Sequence, residues 1–504
     1  MCIRMVASRR SEWLIGFGIA VFSIGVVLAS LWPAFFYSKI KDMMILRNGS
    51  MSFEIWRDIP IPIYLECFLF NITNMDDILA KKADKLQVEQ IGPYVFREIH
   101  KKVNISWNAN STVTYRNQRW WYYQPDMSSG SLTDMITSIN PIVATIAYSI
   151  RNDNIMVKTL VDMVMRSYSP HMFLTANVSS WLFDGIQLPL LDFASQIPAL
   201  PYTIPFQRFG WFYARNGSTT VDGVFATNTG EADFTRLGLT EMWQNKNRTM
   251  FKGKCGEVKG TTGELWALDS NVEEVNIFAS DLCTYMTLKK TGEIERNGLS
   301  GLEFMADDSL FDNGHKYPDR SCYCDGIDKK DCLVGVLNVS ACHFGAPAFV
   351  SLPHFYGLDD SPYPGKIEGL RPTEQHNFKM EIEPITGMPL FVRAQLQVNA
   401  LVRHISGVSL VNQLPDPDTL VPMFWFREEI AVTPEYAEFA QSALDVRFGM
   451  VYGFYVLIVT GVALICSGVW FYRLSRFSVT REKEGDKMAA QTFLDKNEQI
   501  LTRE

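Results

Sequence analysis

The usual signatures of catalysis are missing from this chain of 504 residues. None of its 7 histidines is followed by glutamate, so there is no His-Glu-x-x-His zinc helix. Neither Gly253-Lys254 nor Gly365-Lys366 is followed by Ser or Thr, which excludes a P-loop, and no Gly-x-Ser-x-Gly nucleophile elbow occurs. His354 sits in an apolar, proline-containing stretch and reads as a hydrogen-bonded structural residue. Positive charge is not in excess either: the formal net charge is -8, which argues against nucleic acid as a partner. No internal repeat or low-complexity linker divides the chain. Nothing here calls for an enzyme, a metal or a cofactor.

Long apolar runs, by contrast, are present twice. Residues 13–37 carry no charge between Glu12 and Lys39, and 450–472 repeat the property with aromatic residues at both ends. About 20 helical residues cross a bilayer core, so each run is long enough to span. A cleaved signal peptide is the other reading of the first run; against it stand the run's length and the bulky Leu31–Tyr37 stretch, unsuited to small-residue cleavage. Arg4, Arg9 and Arg10 precede the first span, and Arg473, Arg476, Arg481 and Lys483 follow the second. Basic flanks stay on the cytoplasmic side, so residues 1–12 and 473–504 are expected in the cytoplasm and 38–447 outside.

The glycosylation triplets agree with that topology. Asn48, Asn71, Asn104, Asn110, Asn177, Asn216, Asn247 and Asn338 each head an Asn-x-Ser/Thr sequon, and all lie between the spans. An external domain folds under oxidising conditions, which favours disulfides among Cys255, Cys283, Cys322, Cys324, Cys332 and Cys342. A zinc site built from Cys322, Cys324, Cys332 or Cys342, completed by His343, is the alternative. Cys2 is a palmitoylation candidate, and Cys466 is either another or ordinary span packing.

Within the external region the periodicity changes twice. Ile61, Ile63, Leu65, Cys67 and Leu69 alternate as on a half-buried strand, which makes Cys67 a buried unpaired thiol; Leu396, Val398, Ala400 and Val402 do the same. Between about 133 and 181 the spacing becomes helical. Asn140-Pro141 reads as an N-cap followed by proline at the first helical position. A helix over 153–168 is apolar nearly all round, with Lys158, Asp162 and Arg166 as the one stripe made for water. Its Met156, Met163 and Met165 either pack within a small bundle or offer an adaptable apolar surface to a ligand.

Several longer motifs are more specific in combination: Phe70-Asn-Ile-Thr-Asn74, Gly92-Pro-Tyr-Val-Phe96, Cys322-x-Cys324, Gly345-Ala-Pro347 leading to Ser351-Leu-Pro-His-Phe355, Glu383-Pro-Ile-Thr-Gly387, Leu396-Gln-Val-Asn399 and Val421-Pro-Met-Phe-Trp425. With two spans and short tails, they make the chain resemble the class B scavenger receptor (fatty-acid translocase) family, which includes lysosomal integral membrane proteins and the insect sensory-neuron membrane and croquemort-like receptors. The resemblance covers nearly the whole chain. It implies mixed β with helices: an antiparallel β-barrel ectodomain with an apical helical bundle, an apolar tunnel, and two transmembrane anchors. It also implies the pairings Cys255–Cys322, Cys283–Cys342 and Cys324–Cys332.

The function so implied is a cell-surface scavenger receptor that binds lipids, lipoproteins or lipid-bearing particles and transfers lipid. A phagocytic or adhesion receptor and a lysosomal sorting receptor are the alternatives; the oligomeric state is left open. Arg151, Met156, Lys158 and Met163 are the expected ligand contacts of the apex. His343 stands where some relatives carry lysine beside the tunnel entrance, which shifts the expected preference away from fatty-acid carboxylates. Ile500-Leu501 resembles a dileucine sorting signal, but Lys496 occupies the usual acidic position. Plasma-membrane residence is therefore expected, with the lysosomal membrane as the alternative.

Overall fold

A computed structural model describes residues 2–194, 207–268, 271–325, 328–358 and 362–501. The chain divides into two compact units, residues 1–42 with 438–504, and 43–437. The first unit is a pair of helices. Among the described residues, Arg10–Met44 and Pro434–Leu474 are the two stretches of helix long and apolar enough to cross a membrane. Within the unit the helices meet through small residues: a side chain on Gly461 would place its Cβ 2.6 Å from the Phe22 backbone nitrogen, and Gly18 and Gly25 face Ile465 and Ile458 as closely. Apolar helices gain little from burial in lipid, so they associate where small residues let the backbones approach. The remaining surface is apolar and exposed, as at Trp13, Phe17, Tyr452 and Trp470.

The second unit is built on one antiparallel sheet. Its main strands are β1 (Ile63–Ile72), β2 (Leu86–Asn108), β3 (Thr112–Tyr123), β4 (Phe225–Asn228), β5 (Thr240–Trp243), β6 (Glu274–Ala279), β7 (Thr284–Arg296), β8 (Leu299–Met305), β9 (Lys379–Ile382), β10 (Pro389–Arg403) and β11 (Asp418–Ala431). Their order is β6-β7-β8-β9-β10-β11-β1-β2-β3-β4-β5, with three short strands attached off this path. The end strands β5 and β6 are bridged by residues 260–261 rather than paired. Thr240 N donates to Gly260 O at 2.8 Å, Thr261 N to Asn276 O at 3.1 Å, and Phe278 N to Thr261 O at 2.8 Å. A Cβ at Gly260 would lie 2.3 Å from Asn276 O, at a φ of +92°, so only glycine lets this strap pass. The result is a nearly closed barrel.

Between β3 and β4 lies the helical insert. Met135–Ile139 and Phe173–Asn177 form a two-stranded sheet, and the helices Pro141–Ser149 and Ile155–Tyr168 lie between them in sequence. Asn140 caps the first helix, its Oδ1 accepting from Ile142 N at 3.1 Å and Val143 N at 3.3 Å. Asn154 caps the second by accepting from Val157 N at 3.0 Å, so that helix begins at Ile155, two residues later than the periodicity places it. Its orientation also differs from expectation. Asp162 is 4% exposed, accepting from Ser409 Oγ at 2.7 Å and Leu410 N at 3.3 Å, whereas Met156, Leu160 and Met163 are 79%, 61% and 58% exposed. The stripe read as made for water is in part the anchor. A hydrogen-bonding need in the 409–410 turn outweighs the hydrophobic preference of the methionines.

Candidate functional site

Residues paired directly across antiparallel strands point to the same face. Glu428 pairs with Ala394 and Leu65, and Phe426 with Leu396 and Cys67, so these share the barrel interior. Val275, Ile277, Met286, Leu288, Leu302 and Phe304 belong to the same apolar cluster as Leu396, with Ala394, Phe426 and Ile430 packed on it. This wall is apolar but incompletely filled: Ala394, Val398, Phe426 and Ile430 are only half-buried although they face inward. Native cores are close-packed, so accessible surface on interior side chains marks an internal space.

The opposite wall is charged. Glu98, His100 and Lys102 occupy alternate positions of β2, facing Trp121, Arg119 and Asn117 of β3. Trp121 Nε1 donates to Glu98 Oε2 at 2.8 Å, and Arg119 pairs with Asp222 at 2.8 Å. Lys102 is buried, pairs with Glu264 at 2.8 Å, and donates to Trp56 O at 2.8 Å. Arg215 pairs with Asp281 at 2.7 Å, and the Asp281 carbonyl lies 2.9 Å from His343 Nε2.

Burial governs the titration of this band. It pushes Glu98 up to about 8, aided by the charge of Glu428, and raises Glu428 as well. Burial also lowers His100, with Lys102 and Arg119 adding to the effect, and lowers His343. At Asp281 burial pulls upward, but Arg215 and Arg119 outweigh it and hold the carboxyl below the usual range. Asp281 nonetheless keeps 45% of its side chain accessible. Groups both accessible and strongly desolvated face a confined space, not bulk water.

A pH dependence follows. Folded Glu98 titrates near 8 against an ordinary 4.5, so between these values the folded chain holds a proton that the unfolded chain has released. Below about 6.5 the lowered His100 and His343 act in the opposite sense, so thermal stability is expected to fall as pH rises from about 6.5 to about 8 and to level off above it. Glu98→Gln should flatten the profile. Unfolding midpoints at mildly acidic and mildly alkaline pH check this, and an unchanged slope in the variant contradicts it.

The residues singled out from sequence have mixed fates. The structure joins Cys255 to Cys322, Cys283 to Cys342 and Cys324 to Cys332, and Cys67 is a buried free thiol. Among the described residues no group of His, Cys, Asp and Glu is arranged to hold a metal. Arg151 is committed elsewhere: it stacks 3.7 Å over the Tyr148 ring and pairs at 3.3 Å with the fully buried Asp331, which also binds Arg403 at 2.5 Å and Tyr148 Oη at 2.6 Å. It is a structural residue of the insert, not a free ligand contact. Lys158 is half-buried, and Cys466 is exposed on its helix. The side chains of Cys2, Ile500 and Leu501 lie outside the described ones.

Of the sequons, Asn48, Asn104, Asn110, Asn216 and Asn247 are exposed. Asn71 and Asn177 are half-buried, and like Asn216 each accepts a backbone N–H through Oδ1. Asn338 is 7% exposed and accepts from Ser340 N, an environment with no room for a glycan. Glycopeptide mapping is expected to find the five exposed sites occupied and Asn338 bare; a glycan on Asn338 would contradict this burial.

The motifs that carry the family resemblance mostly build the fold. Trp425 stacks on Phe68 at 3.8 Å and donates to Gln90. Gln397 accepts from His354 N at 2.7 Å and donates to Asn399, which donates to Ser351 Oγ. Glu383 closes its turn by accepting from Ile385 N and Thr386 N. Sequence reasoning missed the interior charges Glu98, Arg119 and Glu428. The available signal was a charged residue at the core phase of a period-2 strand, as in Phe424-x-Phe426-x-Glu428-x-Ile430.

Comparison with known proteins agrees with the architecture. The CD36 family profile matches residues 14–472. Protein peste of Drosophila melanogaster is 33% identical over 463 residues, covering 90% of this chain and 80% of that protein. Scavenger receptor class B member 1 of Bos taurus is 29% identical over 468 residues, covering 91% and 88%. Lysosome membrane protein 2 of Homo sapiens is 28% identical over 458 residues, covering 88% and 90%. With that match spanning nearly the whole length, the chain belongs to the CD36 family, whose members are receptors and not enzymes.

Proposed function

We propose that this chain is a cell-surface receptor that captures lipoproteins or other lipid-bearing particles and passes their lipid through the barrel interior to the membrane. The observation that carries this reading is the accessible apolar surface of Ala394, Val398, Phe426 and Ile430 inside the barrel. Exposing one buried methylene to water costs about 0.8 kcal/mol, so a long acyl chain crossing an aqueous gap meets a barrier on the order of 10 kcal/mol. An apolar conduit removes most of it without a nucleotide. Capture falls to the helical insert, whose exposed Met156, Leu160 and Met163 form an adaptable apolar stripe.

In this reading both termini are cytoplasmic, as the basic residues flanking each span require. Residues 38–447 are external and glycosylated, and Cys2 and Cys466 are the candidates for acylation. The relatives named as scavenger receptor class B and as a lysosome membrane protein leave two destinations. The missing acidic residue before Ile500-Leu501 favours the plasma membrane. The test is uptake by cells expressing the chain from a lipoprotein labelled separately in lipid and in protein. Lipid accumulating well beyond protein supports transfer; equal uptake of both labels identifies an endocytic receptor and overturns it.

A further inference from the structure

The interior charges are balanced in a particular way. Among the described residues each cation of the band already has an anionic partner: Arg119 with Asp222, Arg215 with Asp281, and Lys102 with Glu264. His100 and His343, half-buried beside these pairs, disfavour a charge. Two acids are left over. Glu98 receives the Trp121 indole N–H and lies 3.8 Å from Arg119, which Asp222 also holds. Glu428 makes neither a hydrogen bond nor an ion pair within the described residues. It stands between Phe426 and Ile430 on the apolar strand, opposite Ala394, with Arg119, Asp222 and Asp281 as the charges acting on it.

Glu428 thus presents a carboxyl with no cation of its own among the described residues, set between apolar side chains. A lipid carboxylate entering the same space meets like charge and cations that are already paired, whereas the hydroxyl of an uncharged lipid finds an unused acceptor.

Resting on the conduit reading above, we propose that Glu428 is the specificity-determining residue of the barrel interior: its unpartnered carboxyl hydrogen-bonds the hydroxyl of an uncharged lipid, while the balanced band around it disfavours free carboxylates. The ligand class is therefore hydroxyl-bearing neutral lipids such as sterols rather than fatty-acid anions.

The test uses the full chain in detergent at neutral pH, with two fluorescent probes, dehydroergosterol as the uncharged sterol and cis-parinaric acid as the carboxylate. Wild type should bind the sterol about ten-fold more tightly. Glu428→Ala should weaken sterol binding about ten-fold, and Glu428→Gln, which keeps an acceptor oxygen, should weaken it less. Asp281→Asn unpairs Arg215, so the sterol-to-carboxylate affinity ratio should fall about ten-fold; Asp222→Asn, which unpairs Arg119, is the independent second variant should the first not fold. Equal binding of the two probes by wild type, or a ratio unmoved in a folded unpairing variant, overturns the filter alone. Wild type binding neither probe overturns the filter and the conduit together.

Discussion

Replacing Ala394 with tryptophan is expected to cut lipid uptake at least about ten-fold while particle capture by the receptor persists. Ala394 lies on β10 facing inward, half-buried, opposite Glu428 and flanked on the same face by Val392 and Leu396. An indole there fills the space that Phe426 and Ile430 leave open. Overpacking of a core costs about 1–3 kcal/mol, which a domain of this size tolerates, so the variant should still fold and reach the surface. Capture depends on the exposed Met156–Met163 stripe, which belongs to the insert and not to β10. Particle binding and lipid uptake measured on the same cells separate the two. Uptake unchanged in a folded Ala394→Trp variant would mean that lipid does not pass this point.

The joint replacement Cys283→Ser and Cys342→Ser is expected to be about as destabilising as loss of Cys255–Cys322, whose loop has separation 67, and to have a local functional consequence besides. The Cys283–Cys342 bond closes a loop of sequence separation 59, for which chain entropy gives about 4 kcal/mol, against about 2.5 kcal/mol for Cys324–Cys332 with separation 8. For roughly 400 residues unfolding together, 4 kcal/mol lowers the midpoint by about 5 °C. The bond also fixes Asp281 beside His343, whose ring lies 2.9 Å from the Asp281 carbonyl, and through Asp281 it fixes Arg215. Loosening it should therefore disturb the interior charge pairing as well. Differential scanning of the purified variant reads the first effect, and a midpoint equal to wild type contradicts it.

How far the sequence alone reaches depends on which interactions are local. The two spans are legible because a bilayer demands about 20 apolar residues in a row, a requirement no distant contact can alter. Strand β1 is legible because Leu65, Cys67 and Leu69 alternate toward one buried face. On β10 the alternation is only half the story: Gln397 and Asn399, on the other face, are buried as well because Ser351, Phe349 and His354 satisfy them. The helix Ile155–Tyr168 shows the limit. Its spacing reveals a stripe of Lys158, Asp162 and Arg166 but not which way the stripe faces, and the partner that decides it, Ser409, is 247 residues away.

The interior site is a sharper case. Glu98, Arg119, Arg215, Asp281 and Glu428 come from separate strands and loops, each an ordinary polar residue in its own segment. Only the antiparallel register places Glu98 beside Trp121 and Glu428 beside Ala394. His343, chosen from sequence as a departure beside an entrance, contacts this group through Asp281. Its neighbourhood was legible; its neighbours were not.

Lipid transfer of this kind requires lipid to occupy the barrel. Photo-crosslinking of the full-length protein with a diazirine-bearing sterol, followed by peptide mapping, tests that most directly. Adducts are predicted on the inward positions of β10 and β11, at Ala394, Phe426 and Glu428. Adducts confined to the insert helix Ile155–Tyr168 or to the two apolar helices, with none inside the barrel, would contradict it.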